Sequence, residues 1–173
     1  MAITYYSISS QILSSSAASI TFSSIPATYT DLVLKVSART DTAGSFNGQC
    51  QLTFNSNATN YSGKYIRGNG STALSSGGPT TYIALGPSAS DSAGNGANTF
   101  TSVDVYIPSY LISQNKQASD DFAAEDNTAT GFNEARASLW SSTAAITSVT
   151  LTANSGGNFV AGSTFYLYGI KNS

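Results

Sequence analysis

The stretch Asp31-Leu32-Val33-Leu34-Lys35-Val36-Ser37-Ala38-Arg39 decides how the rest of the chain is read. Leu32, Leu34, Val36 and Ala38 alternate with Val33, Lys35, Ser37 and Arg39. Successive side chains of a strand point to opposite faces, so this run predicts a half-buried strand. A helix would need apolar residues three and four apart, and no window of the sequence carries a convincing stripe of that period.

Working outward, the same test picks out Cys50, Leu52 and Phe54, and then Val103, Val105 and Ile107 with Ser102, Asp104 and Tyr106 between them. Weaker alternation runs over Ile3 to Ile8, Ile20 to Phe22, Tyr61 to Arg67, Tyr82 to Leu85, Ala118 to Ala124, Ala135 to Leu139, Val149 to Leu151 and Phe165 to Ile170. Clusters rich in Gly, Asn, Ser or Pro separate them, at Asp41 to Gly48, Gly68 to Thr80, Gly86 to Asn98, Pro108 to Lys116 and Asn154 to Gly162. Roughly ten strands at this spacing predict an all-β chain, a single β-sandwich domain over residues 1–173. Several long connections favour a jelly-roll or Greek-key order over an up-and-down barrel. Leu34, Val36, Leu52, Phe54, Val105 and Leu151 are the expected core.

Charge is scarce. Seven basic and nine acidic residues make up 9% of the 173, for a formal charge of −2, so nothing holds a polyphosphate and nucleic acid is not an expected partner. Apolar runs such as Leu32 to Leu34 are a few residues long, too short to span a bilayer as a helix. The stretch from Met1 to Tyr5 lacks the basic and apolar regions of a secretory signal, which predicts a protein used without export by that route. Small polar residues replace charges as the hydrated surface and lose little side-chain entropy when a neighbour docks, a composition suited to an assembly and equally to a β-rich extracellular-type domain.

The chemistry-bearing residues are equally few. With no histidine, a Ser-His-Asp or Cys-His relay has no imidazole, and the usual zinc and copper ligand sets are missing. The single cysteine, Cys50, alternates with Leu52 and Phe54 and reads as a buried core thiol. Carboxylate-pair hydrolysis and a calcium site remain to be weighed. Asp104 points away from the Val103 face, while Asp120, Asp121, Glu125 and Asp126 form a group that also fits a solvated strand edge. The expectation is therefore no enzyme, no cofactor, and no catalytic, cofactor-binding or metal residues. Ten tyrosines, eight phenylalanines and Trp140 supply rings that could stack on sugars, although most aromatics in a sandwich fill its core. Trp140 is expected to point away from the Ala135, Ala137 and Leu139 face.

The segment from Ile20 through Ser23-Ser24-Ile25-Pro26-Ala27-Thr28-Tyr29-Thr30-Asp31 to Leu34 resembles the opening of a widespread family of tailed-bacteriophage virion proteins. Asn60-Tyr61-Ser62 with the Gly68-Asn69-Gly70 turn agrees with it. So does Leu139-Trp140-Ser141, continuing through Ile146 to Leu151 and Phe165-Tyr166-Leu167-Tyr168-Gly169-Ile170. The resemblance covers nearly the whole chain and implies a particle component, found as small virion proteins and as carboxy-terminal domains of tail fibres. It carries no catalytic residues. One departure is Ile107-Pro108-Ser109-Tyr110-Leu111-Ile112, where small residues are expected after the Ile-Pro step.

The function expected is a structural protein on the outer surface of a virion, made in the bacterial cytoplasm. A capsid decoration or cement protein, bound to the major capsid protein or other virion proteins and trimeric by analogy, is the first reading. A tail-fibre or receptor-binding module that contacts a surface glycan is the alternative. Tyr110, Leu111 and Ile112, an apolar cluster in a Ser/Thr-rich chain, are the candidate docking patch, unless the segment folds back to cap the core.

Overall fold

The structure, a computed structural model, describes residues 4–42, 48–90, 98–125, 131–154 and 156–171. These contain twelve strands and no helix. In chain order they are β1 (Tyr5–Ile12), β2 (Ser19–Phe22), β3 (Asp31–Thr40), β4 (Gly48–Phe54), β5 (Tyr61–Gly68) and β6 (Ala73–Gly77), then β7 (Ile83–Ser90), β8 (Thr101–Ile107), β9 (Lys116–Glu125), β10 (Gly131–Trp140), β11 (Val149–Ala153) and β12 (Thr164–Ile170). Every strand expected from alternation is present with shifted ends, except that Ile3 lies outside the described residues. Asp126 and most of the Asp41 to Gly48 and Gly86 to Asn98 connections also fall partly or wholly outside them.

Two antiparallel sheets of eight and four strands form the sandwich. The larger runs β1-β12-β3-β8-β9-β10-β5-β6 and the smaller β2-β11-β4-β7. A two-residue parallel bridge, Arg39 and Thr40 against Ala89 and Ser90, joins them at one corner. With β5, β6, β9 and β10 set aside, the remaining strands pair first with last, second with next-to-last, third with sixth and fourth with fifth. That nested pairing is a jelly roll. The four set-aside strands extend its first sheet.

The core lies between the sheets. Phe165, Val36 and Val103 form one inward row across β12, β3 and β8, and Leu167, Leu34 and Val105 form the next. The smaller sheet answers with Phe22, Leu151, Leu52, Phe54 and Leu85, all buried. Leu34, Leu52, Phe54, Val105 and Leu151 are completely buried and Val36 is 3% exposed, as alternation predicts. Cys50 is buried among them, and desolvation, reinforced by the charge of Asp120, pushes its thiol far up. At Gly86 (φ +61°) a Cβ would sit 2.4 Å from the Phe122 ring, so only glycine lets β7 close against β9.

Four features differ from the sequence expectation. A strand, β6, lies inside the Gly68 to Thr80 cluster, because Asn69 builds a tight turn. Its Oδ1 accepts from the backbone N–H groups of Ser71 and Thr72, which returns the chain alongside β5. On β10 the buried set is Glu134, Arg136, Ser138 and Trp140, while Ala135 and Ala137 face solvent. Trp140 does point away from the alanines, but the side it points to is the core, where it stands 5.7 Å from the Phe54 ring. The acidic group is not a solvated edge, since β9 is interior to the sheet between β8 and β10. Asp120 faces inward and Asp121 and Glu125 outward, so these three do not converge as calcium ligands.

Candidate docking surface

The apolar cluster Tyr110, Leu111 and Ile112 does not form one patch. Tyr110 is completely buried, its hydroxyl donates to the Pro26 carbonyl, and its own carbonyl accepts from Ile146 N at 2.9 Å. Leu111 is half-buried against the core, and Ile112 alone is 55% exposed. Lys116 fastens the end of the connection: its buried ammonium donates to the carbonyls of Ile112 (2.7 Å) and Gln114 (2.6 Å). A buried cation held by carbonyls and an inserted tyrosine make this segment a cap over the open end of the sandwich, so at Tyr110 the docking role gives way to a structural one.

Surface suited to docking lies instead on the four-stranded extension, where charged side chains share the inner face with apolar ones. Under the jelly roll the inner face is apolar; across β9, β10 and β5 it mixes buried aromatic rings such as Phe122 and Trp140 with an ionic cluster. Across the register, Val103 is followed by Phe122, Glu134 and Arg67, and Val105 by Asp120, Arg136 and Tyr65. Glu134 is saturated by two guanidiniums, with Arg67 Nε at 2.7 Å from Oε2 and Arg136 Nη2 at 2.5 Å from Oε1. The Tyr65 ring lies 4.5 Å from the Arg136 guanidinium and 5.0 Å from that of Arg67. Buried charges persist where they are paired and stacked in this way.

Asp120 is the exception. It is 3% exposed, and neither carboxylate oxygen has a hydrogen-bond partner among the described residues. Desolvation pushes its carboxyl up to about 7 against the pull of Arg136, helped by the charges of Glu134 and Asp121.

With charge turned inward, apolar groups are displaced to the outside. Ile66, 65% exposed, lies directly across from Ala135, and with Ala73 they give the outer face an apolar strip beside an open cleft. Leu74, 51% exposed at the same edge, pairs with Arg67 and belongs to the other face. The cleft ends at β6, which is exposed along its whole length, is not paired on its far side among the described residues, and contains neither charge nor proline. Edge strands are normally guarded by such residues or by bulges, as β1 is by the register shift between Ser7 and Ser9. β6 has only its shortness.

No protein-family model, no curated protein and no solved structure matches this chain. The surface itself must carry the functional reading.

Sequence reasoning misses the ionic cluster and the cleft together, because the Ala135, Ala137 and Leu139 alternation reads as the apolar side of β10. The signal available was Trp140, which shares its parity with Glu134 and Arg136: a tryptophan in an alternating set marks the buried face more strongly than two alanines. Among the described residues no group of three or more Cys, Asp or Glu side chains gathers as metal ligands.

Proposed function

We propose that this chain is a non-enzymatic structural module on the outside of a tailed-phage particle, a decoration protein that ties major capsid subunits together. The observation that carries the reading is the unguarded β6 edge beside outward-facing Ile66 and Ala135. A free edge offers backbone donors and acceptors to an extended strand of a neighbour, and the adjoining apolar groups gain by burial at about 25 cal/mol per Å². A capsid subunit with a strand or extended arm at its surface fits that chemistry. The family resemblance of the sequence points to the same setting.

Copy number tests the reading. On a denaturing gel of purified particles the chain should approach the abundance of the major capsid protein. Assembly onto undecorated particles should weaken when Ile66 is changed to Ser, with the unfolding midpoint unchanged. A few copies per particle would overturn the decoration reading in favour of a fibre-borne receptor-binding module. The aromatic groove described next favours that second reading.

A further inference from the structure

The outer face of the larger sheet carries a groove that the docking reading leaves unused. Register places Tyr168, Val33 and Tyr106 side by side across β12, β3 and β8, and Tyr5 beside Ile170 at the β1 edge. Tyr5 and Tyr106, 51% and 41% exposed, form the two walls of a groove of about 350 Å³ whose floor includes Val33 and Ile170. Tyr5 is braced edge-to-face by Tyr168 at 5.9 Å, and Tyr166 stacks on Tyr168 at 6.4 Å, so the rings continue along β12. Tyr106 is fixed by its hydroxyl, which donates to Asp31 Oδ2 at 3.0 Å, while Asp31 Oδ1 accepts from Ser109 N at 2.8 Å.

We propose that this groove binds a neutral pyranose unit of a glycan, stacked on the tyrosine rings and hydrogen-bonded to Asp121. A sugar ring has an apolar face of C–H groups for which a tyrosine face is the natural complement, and hydroxyls around its rim that need acceptors. Rigid, exposed rings already held by neighbours lose little entropy on binding. The polar lining decides the class of sugar. Asp31, Asp104 and Asp121 face a single cation, Lys35, which is committed to Asp104 at 2.5 Å. Asp31 is occupied by Tyr106 and Ser109, so Asp121, exposed on β9 directly across from Asp104, is the acceptor presented to a ligand. Net negative lining repels sialylated, uronic or phosphorylated sugars and admits hydroxyl and acetamido groups.

The proposal deepens the receptor-binding reading and rests on it for its biological setting. Calorimetric titration with two neutral probes, N-acetylglucosamine trisaccharide and cellotriose, and one anionic probe, trigalacturonate, tests it. At least one neutral probe should bind and trigalacturonate should not. Tyr5→Ala should weaken binding about tenfold. Asp121→Ala, on an exposed site, should weaken it with the unfolding midpoint unchanged. Failure of both neutral probes, equal binding of trigalacturonate, or binding indifferent to Tyr5→Ala and Asp121→Ala would each overturn the proposal. Loss of self-association rather than of sugar binding in Tyr5→Ala would identify the groove as an interface between copies, and would overturn it too. Copy number separates the two claims: sugar binding by a chain present at capsid abundance keeps the groove and removes the fibre reading, and low copy number without sugar binding does the reverse.

Discussion

Asp120 is the residue with the clearest consequence for stability. Its folded carboxyl titrates near 7 against an ordinary value of 3.8, so the folded state holds a proton that the unfolded chain releases. Stability from this group is complete below about pH 4, falls as pH rises toward 7, and is flat above. Asp41 has the opposite sign. Its carboxylate accepts from the Asn158 side chain and backbone, which lowers its titration, and stability is lost as pH falls through that lowered value. Asp120→Asn should remove the decline between pH 4 and 7 and raise stability at pH 8, by at most about 4 kcal/mol for a shift of this size. Denaturant melts of both proteins across pH check this, and parallel curves would refute it. Cys50 offers a second readout, since its buried, raised thiol should resist a thiol reagent until the chain unfolds.

At the scale of elements, β10 and the Pro108 to Lys116 connection show how far alternation can be trusted. The period of β10 was legible, its polarity was not, because alanines on the exterior and paired charges in the interior reverse the usual pattern. Glu134→Gln should cost about 3–5 kcal/mol by leaving two arginines without their carboxylate, whereas Ala135→Glu on the outer face should stay within about 0.5 kcal/mol. Unfolding midpoints in urea measure both, and the reverse order would mean the strand faces are misassigned. In the connection, Tyr110→Ala should cost about 3–5 kcal/mol and Ile112→Ser almost nothing, because one side chain plugs the sandwich and the other meets solvent. Nothing local in Tyr110-Leu111-Ile112 separates the three; the separation comes from Pro26 and Ile146, distant in the chain.

For the molecule as a whole, the arrangement predicts a β-type circular dichroism spectrum and cooperative unfolding unchanged by a chelator, and Phe54→Ala should cost about 3–5 kcal/mol, since that ring joins β4 to the Tyr61 and Trp140 rings. Loss of structure on chelation would reveal a metal dependence that this packing does not require. The sequence by itself determined the strands other than β6, the sandwich class and its apolar core, because period-2 alternation is local and a half-buried strand must show it wherever the chain later places it. Exposed along its length, β6 has no such pattern to show. Tertiary structure alone decided which strands pair, and with them the rest. The packing of Trp140 against Phe54 of the smaller sheet sets which side of β10 is buried, and pairing with β5 brings Arg67 to Glu134. Strand order leaves β6 as a free edge, and the register across β1, β12, β3 and β8 assembles a tyrosine groove from residues far apart in the chain. Those outcomes depend on long-range pairing, which no local period encodes.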